Sequence, residues 1–164
     1  LNFFQKIDFF ISMQKQNIPD FPIVIYCEGK HQWLHLKNIL DECIRKTNVK
    51  ILFLSSDQFF PYKQNDKLKF INIGSKGLRV WVFKNINCKV FISSITDIDN
   101  FYLKKSKYKP IYIYLPHSLI SLTAGYNKKA FVNYDILVCA NQHQYKEARS
   151  FENVYGFKYL ISQI

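Results

Sequence analysis

Apolar positions along this chain follow two patterns: short continuous runs, and longer stretches in which apolar residues recur every three or four positions. The short runs are rich in branched and aromatic residues, which is typical of strands buried on both faces. They predict strands at residues 23–27, 51–54, 68–73, 89–93, 111–115 and 136–139. The helical spacing predicts helices over residues 1–15, 32–46 and 142–152. Alternating strands and helices of this kind predict an α/β fold with a mostly parallel sheet and helices on both faces.

Residues 78–86 have an ambiguous pattern, because they alternate in part like a strand. They lie between two better strand candidates, at 68–73 and 89–93. Parallel neighbours joined by a right-handed crossover need a helix in the connection. We therefore predict a helix at 78–86, against its local pattern.

The first 15 residues predict an amphipathic helix. Its apolar side carries Phe3, Phe4, Ile7, Phe10 and Ile11. Such a side can cover a core or rest on lipid, and packing on the protein is favoured because aromatic stripes at this spacing usually cover a core. Two prolines within residues 18–22 end the helix. The chain opens on Leu1 and closes just after an apolar run at 159–161, so we interpret it as a segment of a longer protein.

Length and cysteine usage limit the class of protein. A chain of 164 residues with 48% hydrophobic content can bury one full core and is short for two domains. No stretch reaches the roughly 20 apolar residues that cross a bilayer, and the start lacks the layout of a signal peptide. Cys27, Cys43, Cys88 and Cys139 lie far apart, with no C-x-x-C pair and no histidine at metal-ligand spacing. We predict buried free thiols, no metal site, and a reducing compartment such as the cytoplasm.

The charge balance favours polyanionic partners. The chain carries 23 Lys and Arg against 12 Asp and Glu, a formal charge of +11. Nucleic acid, anionic lipid headgroups and phosphate-rich polymers all fit such a charge. The densest patch is Lys104, Lys105, Lys107 and Lys109, interleaved with tyrosines. We predict polyanion or membrane contact there, although a solvated loop before a strand is the simpler interpretation of the patch alone.

Polar residues follow several predicted strands, at the edge where the carboxyl ends of parallel strands meet. Glu28, Gly29 and Lys30 follow the first strand, and His117 and Ser118 follow the run 111–115. Ligands of open α/β sheets collect beyond these ends, and imidazole titrates near neutrality, so His117 is a candidate reactive group. The alternative is a histidine that caps the next helix or bonds a loop carbonyl.

Other candidate groups carry weaker signals. Residues 55–57 are ordinary turn and helix-capping types. His31, His35 and His143 fall at helix starts or on helix surfaces, and we predict that they are solvated. The glycines form neither a G-x-G-x-x-G nor a Walker A loop, and no G-x-S-x-G is present. We therefore expect no NAD or ATP site and no other cofactor.

The order of these blocks resembles the amino-terminal half of the CDP-glycerol:glycerophosphate glycerophosphotransferase family, whose members make teichoic-acid-like and capsular polymers. The resemblance spans roughly residues 18–160. It rests on Glu28-Gly29 after the first strand, the helix bearing Trp33, His117-Ser118, and the Tyr134-Asp135 strand. Many members have His-Gly where this chain has His117-Ser118, and this difference bears mainly on the choice of acceptor.

The resemblance implies a GT-B arrangement, in which two Rossmann-like domains face each other across a cleft. Residues 19–164 would be the acceptor-side domain, preceded by an amphipathic helix and linker over residues 1–18. The carboxyl-terminal domain that holds the CDP-linked polyol donor would lie outside this chain. The acceptor would be a phosphate-rich polymer or its lipid-linked primer, at the inner face of the cell membrane, and nucleic acid is not expected.

The resemblance also implies roles for individual residues. His117 would be the general base that takes a proton from the acceptor hydroxyl as it attacks the β-phosphate, with CMP leaving. Glu28, Gly29, Lys30 and Ser118 would bind substrate, and Glu28 could instead orient His117. No metal is implied.

Two other functions stay open at this point. The chain could be a non-catalytic α/β module that binds a polyanion or anionic membrane through Lys104 to Lys109, with steep salt dependence. It could also be the half of a GT-B enzyme that uses a nucleotide-sugar, since the residues that recognise the donor would lie beyond Ile164.

Overall fold

The computed structural model describes residues 1–127, 129–156 and 160–163. Its elements in chain order are α1 (Phe3–Gln14), β1 (Ile23–Cys27), α2 (Lys30–Lys46), β2 (Ile51–Ser55), β3 (Leu68–Asn72), α3 (Gly77–Asn85), β4 (Val90–Ser93), β5 (Ile111–Tyr114), β6 (Ile136–Cys139), α4 (Gln142–Tyr155) and β7 (Leu160–Gln163). The strands form one sheet in the order β3-β2-β1-β4-β5-β6-β7, and all its pairs are parallel. The predicted α/β fold with a parallel sheet is confirmed.

The predicted elements are found close to their expected bounds. The ambiguous segment 78–86 is helical, as α3, and it connects the parallel strands β3 and β4, which lie on opposite sides of β2 and β1. Sequence patterns did not predict β7, whose start overlaps the short apolar run at 159–161; residue 159 lies outside the described residues. The connections β2–β3, β4–β5 and β5–β6 run through loops and turns rather than helices.

Helices cover both faces of the sheet, because alternate strand residues enter two separate apolar clusters. Val24 and Tyr26 of β1 belong to the cluster with Phe83 of α3. Ile25 of the same strand belongs to the other cluster, with Leu36 of α2. Helices α1, α3 and α4 contribute to the first cluster and α2 to the second. This alternation follows from the two-residue side-chain period of a strand.

The chain reverses direction across the sheet between β1 and β4. From β1 the chain passes through α2 to β2, and from β3 it returns through α3 to β4 on the other side of β1. Since α2 and α3 lie on opposite faces, a crevice forms beyond the carboxyl ends of β1 and β4. Glu28, Ser94 and the loop after β5 border this crevice.

Helix α1 packs on the protein through only part of its apolar surface. Of the predicted apolar side, Phe10 is buried against the core that contains α3, together with Met13, whereas Phe3 and Ile11 are exposed. The side chain of Asn87 donates hydrogen bonds to the carbonyls of Met13 and Gln16, which fixes the end of α1. Phe4 remains 74% exposed. Within the described residues, no helix combines the length and apolarity needed to traverse a bilayer.

The cysteines are free thiols, as predicted. Cys27, Cys88 and Cys139 are buried, and Cys43 is half-buried on α2. Burial raises the pKa of Cys27 and of Cys139 to about 11, and that of Cys88 to about 12. Thiols protonated in this way at neutral pH behave as small apolar side chains.

Candidate functional site

A pocket of about 330 Å³ opens at the crevice between β1 and β4. Three loops at the carboxyl edge of the sheet form it, together with the start of α2. Its lining residues are Glu28, His31, Gln32, Ser94, Ile95, Thr96, Tyr102, Leu103, His117 and Tyr126. The fold therefore brings Glu28 and His117, which are 89 positions apart in the sequence, to one cavity.

His117 is half-buried in this pocket with a defined tautomer. Its Nδ1 lies 3.1 Å from the carbonyl oxygen of Ser94. A carbonyl oxygen only accepts hydrogen bonds, so Nδ1 carries the proton and donates it. In the neutral ring, the lone pair is then on Nε2. The structure thus shows the loop-carbonyl bond that we considered as the alternative role for His117, and this bond leaves Nε2 able to accept a proton.

The surroundings of His117 favour its neutral form. Burial lowers the pKa of His117 below its ordinary value of 6.5. The nearby His35 and His31 act in the same direction, while the hydrogen bond to Ser94 and the charge of Glu28 oppose it. At pH 7 the imidazole is therefore mostly neutral, which is the state that a general base requires.

Glu28 forms part of the pocket wall and pairs with a buried arginine. Its Oε1 accepts a hydrogen bond of 3.0 Å from Nη1 of Arg79, and its side chain is 46% exposed. Its backbone nitrogen donates to Oε1 of Gln32, 3.0 Å away, which fixes the turn into α2. The carboxylate is therefore held in place and still accessible from the pocket.

Arg79 bonds two of the pocket-lining residues, and sequence patterns did not single it out. It lies in the first turn of α3, and only 4% of it is exposed. Besides Glu28, it donates to the hydroxyl of Tyr26 at 3.2 Å and to the hydroxyl of Tyr102 at 2.8 Å. The helix at 78–86 is predicted from the crossover between strands, which gives no role to the cation within it. The available signal was the position of the arginine: a helix that follows a parallel strand begins at the carboxyl edge of the sheet, so a cation in its first turn lies near that edge.

Gly29 and Lys30 begin α2 beside the pocket. Gly29 is the N-cap residue, and a Cβ at this position would lie only 3.1 Å from Nδ1 of His31, so the histidine would have to shift. The backbone nitrogen of Lys30 lies 3.3 Å from Oδ2 of Asp57, and its ammonium is 5.3 Å from the ring centre of Phe59. Lys30 thus contacts the β2–β3 loop rather than the pocket.

The three histidines that we expected to be solvated are all exposed, but they differ in location. His31 lines the pocket with His117, because the first turn of α2 begins at the carboxyl edge of the sheet. His35 is one turn further along and influences His117 electrostatically. His143 lies on α4, 3.2 Å from Glu147.

Ser118 supports the pocket from outside it. Its hydroxyl is 3.3 Å from that of Tyr126, whose ring faces the imidazole of His117 edge-on at a centroid distance of 6.5 Å. Its carbonyl accepts a hydrogen bond of 3.1 Å from Nε2 of Gln144 on α4. Ser118 therefore fixes the wall beside His117 rather than lining the cavity.

The lysine patch lies away from the pocket. The β4–β5 loop runs from the carboxyl edge, where Tyr102 lines the pocket, back to the amino end of β5. Lys107 bonds the carbonyl of Lys84 near the end of α3, and its ammonium lies 2.9 Å from Oε1 of Gln14. The ammonium of Lys105 bonds the carbonyl of Asn133, and that of Lys104 bonds the carbonyl of Asp99. The fold does not bring these lysines together with His117.

Unpaired buried polar atoms gather at the carboxyl edge. Among the residues that the structure describes, three buried side-chain atoms lack a hydrogen-bond partner: Nε of Arg79, Oγ of Ser94 and the hydroxyl of Tyr114. Buried polar groups are nearly always paired in folded proteins. Ser94 lines the pocket and Arg79 holds two of its lining residues, so this region suits a polar ligand rather than an apolar one.

Neither a search for metal-binding side chains nor a comparison with known proteins identifies a ligand or a family. Within the described ranges, no group of three or more His, Cys, Asp or Glu side chains could hold a metal ion. The chain matches no protein-family model, no curated protein and no solved structure.

Proposed function

We propose that this chain is the acceptor-side domain of a transferase that moves a polyol phosphate from a CDP-linked donor to a phosphate-containing polymer or its lipid-linked primer. The proposal rests mainly on the geometry of His117. Its Nδ1 donates to the carbonyl of Ser94, its ring lines the pocket, and its Nε2 is left to accept a proton. A neutral imidazole in that setting suits proton removal from a hydroxyl. The family resemblance supplies the donor class.

The proposed reaction needs one proton acceptor and one leaving group. The acceptor hydroxyl gives its proton to Nε2 of His117 while its oxygen forms a bond to the β-phosphorus of the donor. The bond from that phosphorus to the bridging oxygen breaks, and its electron pair leaves with CMP. The carbonyl of Ser94 stabilises the imidazolium that forms, because the Nδ1 proton already points at it. The carboxylate of Glu28 accepts hydrogen bonds from acceptor hydroxyls.

Exposed apolar side chains at the same edge support a second domain facing this one. Leu34, Phe101, Leu119 and Ile120 are exposed large apolar residues on α2 and on the loops after β4 and β5. A donor-binding domain across the cleft would cover them, as in a GT-B arrangement.

The enzyme would work in the cytoplasm, at the inner face of the membrane where cell-envelope polymers are built. The competing enzyme hypothesis is a glycosyltransferase, in which the same acceptor-side domain faces a donor domain specific for nucleotide-sugars.

The test is CMP release by the full-length gene product with a panel of CDP-polyols and nucleotide-sugars. We expect release from a CDP-polyol, and His117→Ala should lower it by about 100- to 10,000-fold, as for removal of a general base. His143→Ala is the matched control, because that histidine is 70% exposed on α4 and does not line the pocket. Full activity in a folded His117→Ala variant would remove His117 from the chemistry. Release of UDP or another nucleotide from a sugar donor would favour the glycosyltransferase.

A binding module is the second candidate function, and one specific observation favours it. Lys107 and Lys109 of the lysine patch precede the amino end of β5, where they can bind a polyanion without involving the pocket. In that case His117 would be a structural residue, and no donor would release CMP.

A further inference from the structure

Arg79 connects three separate parts of the chain at the pocket. One guanidinium nitrogen contacts Glu28 after β1 and the hydroxyl of Tyr26 within β1. The other contacts the hydroxyl of Tyr102, in the loop after β4. Glu28 and Tyr102 both line the pocket, and Arg79 itself sits behind them, almost fully buried.

This arrangement is costly for a purely structural purpose. A buried cation loses its hydration, and burying an ion pair is often no more stabilising than burying apolar side chains of similar size. Here the partner of the cation is a half-exposed carboxylate, and Nε of Arg79 has no partner among the described residues. The arginine therefore adds little to stability that a leucine or methionine would not add. What it adds is a fixed geometry for two pocket-lining side chains.

We propose that Arg79 is the positioning residue of this pocket, holding Glu28 and Tyr102 as its two polar walls so that the pocket accepts the hydroxyl-bearing end of a polyol phosphate. The ligand class rests on the proposed function, whereas the positioning role rests on the hydrogen bonds alone. A carboxylate accepts protons from neighbouring hydroxyls, and a tyrosine ring packs against the C–H groups between them. Arginine contacts its three partners here from two separate nitrogens of a rigid plane, a spacing that the single nitrogen of a lysine ammonium cannot reproduce.

The first experiment compares acceptor kinetics of the full-length protein carrying Arg79→Lys, Glu28→Gln or both. We expect Arg79→Lys to raise the acceptor KM about tenfold or more, as for loss of a hydrogen bond to a charged group, with kcat changed much less. Because Arg79 acts partly through Glu28, the acceptor KM of the double variant should rise by less than the product of the two single effects. Arg45→Lys, in an exposed pair with Glu42, is the control. Independent, additive effects of the two substitutions would overturn the positioning role.

A binding experiment separates this inference from the transferase itself. Titration of the protein with sn-glycerol 3-phosphate, followed by the NMR signals of His117 and Gln32, needs no donor and no turnover. Binding should be saturable in the unmodified protein and about tenfold weaker in Tyr102→Phe, with Tyr108→Phe as the control because its hydroxyl bonds Gln14 elsewhere. No binding to the unmodified protein would overturn the polyol pocket. Binding without any CMP release would leave the pocket assignment standing and refute the transferase.

Discussion

At the scale of single residues, the hydrogen bond from His117 to the Ser94 carbonyl decides what the imidazole can do. A carbonyl partner fixes the proton on Nδ1, and burial keeps the ring neutral by lowering its pKa. A carboxylate in the place of that carbonyl would instead raise the pKa of the ring and favour the charged form. His117 is therefore suited to accept a proton at neutral pH.

This predicts the pH dependence of the reaction. Only the neutral ring is active, so kcat/KM should fall as pH drops through the pKa of His117, which lies below 6.5, and should be level near pH 7. The measurement is CMP release between pH 5 and about 8. The fall in kcat/KM at acidic pH should have the same midpoint as the titration of His117 followed by NMR in the free protein. A fall in kcat/KM with its midpoint above neutral pH would show that another group is the base.

At the scale of elements, one buried glutamine of α4 fixes the loop that carries His117. Nε2 of Gln144 donates to the carbonyls of Ser118 and Ile120, and its Oε1 accepts from the backbone nitrogen of Ala140. Glu147, one turn further along α4, accepts hydrogen bonds from Ser121 and from the backbone of Leu122. The loop after β5 is thus held by α4, an element that follows it in the chain.

Removing that glutamine should loosen the loop. Gln144→Ala leaves buried backbone groups without partners, which we expect to lower the free energy of unfolding by about 2–3 kcal/mol. Amide exchange at residues 118–122 should accelerate more than exchange in the strands. Gln142→Ala, at an exposed position on the same helix, should change neither quantity. Equal rates of amide exchange at residues 118–122 in the two variants would show that Gln144 does not hold the loop.

Helix α1 offers a matched pair of phenylalanines. Phe10 is 2% exposed and Phe4 is 74% exposed, so they share a helix and a side chain but not an environment. We expect Phe10→Ala to cost about 3–5 kcal/mol of unfolding free energy in urea denaturation. Phe4→Ala should stay within about 0.5 kcal/mol. A comparable cost for both would mean that the exposed side of α1 is covered in solution.

Much of the fold could be predicted from sequence because strand and helix patterns are local. The segment 78–86 shows why topology adds to pattern: its local alternation favours a strand, but the chain must cross β2 and β1 to pass from β3 to β4, and α3 makes that crossing. β7 was missed because its apolar run is short, although Gly156 marks the end of α4 just before it. The predicted half of a GT-B enzyme stays a prediction.

At the scale of the whole molecule, the two candidate sites are on opposite edges of the sheet. The pocket with His117 is at the carboxyl edge, while Lys107 and Lys109 precede the amino end of β5. A polymeric acceptor that contacts both edges would have to extend across a face of the domain. Polymer binding and proton transfer should therefore be separable by mutation.

A triple variant tests this separation. Lys104→Gln, Lys107→Gln and Lys109→Gln together should weaken binding of poly(glycerol phosphate). The slope of log binding constant against log salt concentration should become less negative by about 2–3. CMP release with a short acceptor should be unchanged. Lys105 is left intact because, unlike the three exposed lysines, it is half-buried, with its ammonium bonded to the Asn133 carbonyl and 4.5 Å from the ring centre of Tyr112. Parallel loss of binding and turnover would show instead that the lysines serve the pocket.

The sequence by itself determined the α/β class, the parallel strands, the free thiols and the presence of His117 and Glu28 at strand ends, because these follow from local patterns of apolar and polar residues. Only the tertiary structure decided which of these groups meet. Ser94, Arg79 and Tyr102 reach the pocket because the chain reverses between β1 and β4, and their hydrogen bonds join positions 23 to 53 residues apart. The β4–β5 loop carries Lys107 and Lys109 to the other edge, because β4 and β5 are parallel and the chain must return along the length of the strands to start β5.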